Sequence, residues 1–140
     1  MHRIIMVVDA QGGGLGKQLI SRIKKELPDT HIIAIGTNSV ATTAMLKAGA
    51  DEAATGENSV AVASHKADII IGPIGMVIAD SMIGEITPLI ARTIAQADAK
   101  RIMIPFNTCD NYISGVSDLS MSHLISDAIT QLKHCLTENS

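Results

Sequence analysis

Short apolar runs alternate along the chain with longer stretches in which apolar residues recur every three or four positions, and this rhythm predicts alternating strands and helices. Residues 3–9 carry Ile4, Ile5, Met6, Val7 and Val8 without a polar break, the pattern of a strand buried on both faces. In residues 15–27, Leu15, Leu19, Ile20, Ile23 and Leu27 share one helical face, Lys24, Lys25 and Glu26 fall off it, and Pro28-Asp29 stops the helix. A second strand over 31–35 ends at Gly36-Thr37-Asn38. Ser39 is then the expected N-cap of a helix carrying Val40, Ala44, Met45 and Ala48 and closed by Gly49. A short polar strand over 51–55 and a helix over 57–66 follow, then the most apolar strand, 68–72, with Pro73 at its end. After an unassigned apolar stretch at 74–83, the pattern predicts a helix over 85–97, a fifth strand over 101–106 and a terminal amphipathic helix over 121–136.

Five strand–helix units in this order predict an α/β fold, a three-layer doubly wound sandwich around a five-stranded parallel sheet. Central parallel strands need continuous apolar runs, and Asp51-Glu52-Ala53-Ala54-Thr55 is not one, so the third strand belongs at an edge. That favours the Rossmann-like order 3-2-1-4-5 over the flavodoxin-like 2-1-3-4-5, which would bury it. At 140 residues, 46% of them hydrophobic, the chain is expected to form a single Rossmann-like domain over residues 1–140 without disulfides or metals.

Charge and composition narrow the partners. A net charge of −3 with interspersed signs, one Phe, one Tyr and no Trp leave neither a cationic groove nor a stacking platform, so nucleic acid is not an expected partner. No apolar run reaches the about 18 residues of a membrane span, and the N-terminus leads directly into a strand, so the expected location is cytoplasmic. Cys109 and Cys135 lack C-x-x-C spacing, and His2, His31, His65, His123 and His134 lack the H-x-x-x-H spacing of a helical zinc site, so no metal site is expected. Most of the seven methionines belong to the core, but Met76 and Met82, in the unassigned stretch, are candidates for a homodimer contact.

Chemistry-bearing residues gather where the strands end. Gln11, Gly12, Gly13, Gly14, Leu15 and Gly16 join the first strand to the first helix. Glycines there let backbone N–H groups approach an anion, and the helix adds free donors and its positive dipole end. Against the dinucleotide pattern G-x-G-x-x-G, the best register places Gln11, Gly13 and Gly16 on the glycine positions, with Gln11 in place of the first. A P-loop is excluded, because Gly16-Lys17 is followed by Gln18 and no hydroxyl is present for magnesium. Thr37 and Asn38 after strand two, and Pro73 and Gly75 after strand four, complete a rim facing the switch point. The Asp or Glu of an NAD site and the Arg of an NADP site are both missing after strand two. Cys109 is the candidate nucleophile, with Asn107 and Asp9 as further catalytic candidates. Asp110 beside Cys109 would oppose thiolate formation, Asp9 could instead bond the turn's own N–H groups, and Glu85 could favour the start of its helix.

The strings Asp9-Ala10-Gln11-Gly12-Gly13-Gly14-Leu15-Gly16-Lys17, Gly36-Thr37-Asn38, Thr55-Gly56-Glu57-Asn58, Gly72-Pro73-Ile74-Gly75, Gly84-Glu85-Ile86-Thr87-Pro88 and Ile104-Pro105-Phe106-Asn107-Thr108-Cys109 resemble a small uncharacterised bacterial family, a domain of unknown function. The resemblance spans nearly the whole chain and implies no reaction. The part from strand one to strand four is also similar to the first half of NAD(P)-binding Rossmann domains. The expectation is therefore a nucleotide- or dinucleotide-binding protein that holds a phosphorylated small molecule on the turn, with NAD(P) or another nucleotide as cofactor. A small enzyme using Cys109, Asn107 or Asp9, and a structural protein whose glycines serve only packing, are the alternatives.

Overall fold

A computed structural model describes residues 3–106, 110–117 and 120–138. The chain order is β1 (Ile4–Asp9), α1 (Gly14–Glu26), β2 (His31–Gly36), α2 (Ser39–Lys47), β3 (Glu52–Thr55), α3 (Glu57–Lys66), β4 (Ile69–Pro73), a short 3₁₀ helix (Ile74–Val77), α4 (Pro88–Ala95), β5 (Lys100–Ile104) and α5 (Met121–Glu138). The five strands form one parallel sheet in the order β3-β2-β1-β4-β5. This is the Rossmann-like α/β arrangement that the polar third strand predicts: Glu52 and Thr55 are exposed at the edge, while β1 is buried from Ile5 to Asp9.

Strand periodicity divides the central apolar runs between two cores. Ile5, Val7, Ile32, Ala34, Ile69 and Ile71 face a layer built by α1, α2 and α5, where Leu19, Ile20, Ile23, Met45, Ile129 and Leu132 meet them. Met6, Val8, Ile33, Ile35 and Ile70 face the opposite layer, against Val60 of α3 and Ile90 and Ile94 of α4. Methionines 76 and 82 belong to this second core, 0% and 9% exposed. The subunit contact expected of them is corrected accordingly: both side chains are buried in the core that Ile90 and Ile94 of α4 help build, and of the large apolar side chains of this stretch only Ile83 is exposed.

Most element ends fall within two residues of the pattern, and three departures have a physical reason or bear on the site. The fourth helix begins at Pro88, not at residue 85, because Thr87 caps it through its Oγ1, 3.1 Å from the Ile90 amide, and Pro88 occupies the first turn, where a missing N–H costs nothing. The cap of α2 is Asn38, whose Oδ1 accepts from the Ala41 amide at 2.9 Å, so Ser39 is the first helical residue. The fifth strand runs from Lys100 to Ile104, one residue earlier than its apolar pattern at the start and two at the end. Among the described residues no helix is long and apolar enough to cross a membrane.

Candidate functional site

β1 and β2 are paired in register from Ile4↔His31 to Asp9↔Gly36, so they end at the same level. The Thr37 amide donates to the Asp9 carbonyl at 3.1 Å, which sets Thr37 and Asn38 directly beside the glycine turn. On the other side of β1 stands β4, from which the chain leaves toward the opposite layer. The turn therefore opens at the switch point of the sheet, the place where parallel α/β folds receive ligands.

The turn is built from its own buried carboxylate. Asp9 is 3% exposed; its Oδ1 accepts from the Ala10 amide at 2.8 Å and its Oδ2 from the Gly16 amide at 2.7 Å. Burial raises its pKa, the two amides pull it back, the charge of Glu85 raises it again, and the balance lies above the ordinary aspartate value. Gly13, at φ +75°, donates to the Ala10 carbonyl at 3.0 Å and lies so close to α2 that a Cβ would stand 2.8 Å from the Ala41 Cα. A Cβ on Gly16 would meet the Met45 sulfur at 2.6 Å. Gly13 and Gly16 thus serve close packing, as the last glycine of a dinucleotide turn does.

Gly12 and Gly14 differ from them. A Cβ on either would meet nothing within 4 Å. Among the described residues the amides of Gly12, Gly14 and Leu15 have no acceptor, Gly14 and Leu15 being the first two residues of the 13-residue helix α1. Three donors without an acceptor, two of them on exposed glycines, therefore stand at the positive end of the helix dipole.

Glu85 borders that space. From 74 residues further along the chain, its Oε2 accepts from the Gln11 amide at 2.8 Å, from the Asn38 Nδ2 at 2.8 Å and from the Thr37 hydroxyl. Asn38 Nδ2 also donates to the Gln11 carbonyl at 2.9 Å, so the turn, the β2–α2 loop and the segment carrying Glu85 are tied into one rim. Burial raises the Glu85 pKa, but the bonds from Thr37, Gln11 and Asn38 together hold it below the ordinary glutamate value. The carboxylate is ionised at neutral pH, and its Oε1 accepts nothing from the described residues.

The sequence model of a family described as a domain of unknown function, DUF3842, matches residues 4–137. This chain belongs to the DUF3842 family. No curated protein matches it. Among solved structures it is similar to a dodecameric FMN-dependent UbiX-like decarboxylase from Escherichia coli O157:H7, at 15% identity and a TM-score of 0.42, over 95% of this chain and 75% of that one.

In this DUF3842 chain the rim residues expected from sequence separate into distinct tasks. Gln11 lies at φ +52° with its amide committed to Glu85, and Thr37 and Asn38 are committed to Glu85 as well. Pro73 ends β4 in the core, and the buried Gly75 offers its carbonyl to the Ser81 hydroxyl at 2.7 Å, anchoring the segment that leads to Glu85. Asp9 belongs to the turn's internal support, with each oxygen engaged by an amide. Asn107 and Cys109 lie outside the described residues. Glu85 is the site residue whose place sequence reasoning missed. It stands three residues ahead of α4, so it adds nothing to that helix's first turn, and no local pattern could link it to a turn 74 positions earlier. Among the described residues no three His, Cys, Asp or Glu side chains gather as a metal site would require.

Proposed function

We propose that this DUF3842 protein binds a phosphorylated small molecule of the nucleotide class, with a phosphate on the amides of Gly12, Gly14 and Leu15. The observation that carries the reading is the set of three unclaimed amides at the start of α1, with open space over Gly12 and Gly14, where a tetrahedral anion finds both donors and the positive end of the helix dipole. Gln11, Gly13 and Gly16 shape the turn, and their own N–H groups are spent inside the protein.

Glu85 sets what lies next to that phosphate. Its ionised carboxylate stands beside Thr37 and Asn38 at the end of β2, where dinucleotide folds place the acidic residue that takes a ribose hydroxyl. A ribosyl hydroxyl donating to the Glu85 Oε1 suits this corner, whereas a 2′-phosphate would meet a like charge. NAD or AMP therefore fits the residues present better than NADP.

A thermal-shift series with AMP, ATP, NAD, NADP and coenzyme A tests the reading. At a hundredfold excess over Kd, a true ligand adds roughly 2.7 kcal/mol and raises Tm by several degrees. Gly14→Val, whose side chain would enter the open space, is expected to abolish that rise while leaving the unliganded Tm nearly unchanged. No stabilisation by any of the five ligands, or equal stabilisation of Gly14→Val, would overturn it.

A further inference from the structure

At the end of the sheet opposite the glycine turn, where β4 and β5 begin, α3 and α4 finish side by side. Their first turns are tied, the Thr87 hydroxyl donating to the Glu57 Oε2 at 2.5 Å, whereas a cavity of about 350 Å³ lies between their last turns. Ser64, 6% exposed, and the buried Ala99 form its floor. The Ser64 hydroxyl has only the Met6 sulfur for a partner among the described residues, a weak acceptor 3.7 Å away, so most of its hydrogen-bonding capacity is unspent. Two opposite charges line the same cavity and do not meet. Arg92 and Asp98 form no ion pair with each other, and neither side chain has a hydrogen bond or ion pair with any other described residue. The carbonyls of Ser64, His65 and Thr93, which also line the cavity, accept nothing among the described residues, and the negative ends of both helix dipoles lie here. A simple anion would be repelled by Asp98 and the helix ends, and a simple cation by Arg92.

We infer that this cavity binds a small zwitterion, a free α-amino acid. Its carboxylate takes the Arg92 guanidinium, whose planar fork matches two carboxylate oxygens at once. Its ammonium takes the Asp98 carboxylate and the open helix-end carbonyls, where the dipoles favour a positive charge. The Ser64 hydroxyl lies beneath as a further hydrogen-bonding group. A cavity at the lower end of ligand-site volumes suits a ligand of this size. The site stands apart from the phosphate proposed at the glycine turn: Ala67 and Ala99, which line it, precede β4 and β5, whereas the turn follows the far end of β1.

Amide chemical shifts during titration of the full chain with L-serine and with L-glutamine test this, with acetate and methylammonium as controls that carry one charge each. The expected result is saturable shifts within residues 64–67 and 92–99, no movement of Gly12 or Gly14, and binding of either control weaker by about tenfold or more. Arg92 and Asp98 are exposed, so Arg92→Gln and Asp98→Asn should leave Tm unchanged, and each should raise the amino-acid Kd about tenfold by removing one charge-assisted contact. Should Asp98→Asn disturb the fold, Arg92→Gln decides alone. Failure of both amino acids to shift those amides, or shifts confined to the glycine turn, overturns the inference. So does acetate or methylammonium binding as tightly as the amino acids, which would make the cavity a site for a simple ion, or an affinity that Arg92→Gln leaves unchanged.

Discussion

Gly13 and Gly14 are neighbours of one type with opposite physical demands. Gly13→Ala places a Cβ 2.8 Å from the Ala41 backbone at φ +75°, which should cost about 2–4 kcal/mol in denaturant unfolding. Gly14→Ala meets open space in a helical first turn and should be neutral or stabilising by up to about 1 kcal/mol, because alanine loses less entropy on folding. Equal losses at the two positions would mean that the turn is packed throughout. Glu85 makes a second demand at this scale. Its folded pKa lies below the unfolded value of about 4.3, so its contribution to stability is complete above that pH and is lost as pH falls through the lower folded value. Glu85→Gln should cost about 1 kcal/mol at pH 7, a modest figure because the group is only half-buried, and should flatten the acid limb of stability below pH 4 by a similar amount. Chemical denaturation between pH 7 and pH 3 checks both.

Between the 3₁₀ helix and α4, the segment that delivers Glu85 is held in an unusual backbone path. Asp80, Met82 and Ile83 all have positive φ, at 65°, 58° and 57°, as does Gly84, and a β-branched residue in that region is strained. The path is fixed from below by Ser81 on the Gly75 carbonyl, and by the Asp80 amide on the Ile86 carbonyl at 2.7 Å. Ile83 contributes no packing in return, being fully exposed, so Ile83→Asn should stabilise the protein by about 1 kcal/mol, measured as a rise in the denaturant midpoint at constant slope. None of this path is legible in the sequence, where 74–83 is simply apolar; left-handed residues other than glycine are imposed by tertiary anchors. The start of α4, by contrast, was written in Thr87-Pro88, a cap followed by a first-turn proline, and the acidic Glu85 masked it. Asn38 and Ser39 are both good caps, and only the geometry of the β2–α2 loop selects between them.

Across the whole molecule, burial made the sheet legible. Uninterrupted apolar runs can sit only at the centre of a parallel sheet, and the acidic start of β3 sent it to the edge, which together fix the order β3-β2-β1-β4-β5. The position of the candidate site follows from that order, since the switch point lies beside the strand that ends in glycines. What the sequence withheld is which glycines pack and which are open, and that a carboxylate from beyond β4 closes the corner after β2; both depend on distances between segments far apart in the chain. A phosphate resting on three particular amides would change the chemical shift of each of them during a titration with AMP. Saturable shifts are expected at Gly12, Gly14 and Leu15, with Gly13 and Gly16, whose N–H groups are spent on Ala10 and Asp9, moving far less. Shifts confined to other parts of the chain, or none at saturating AMP, would contradict it.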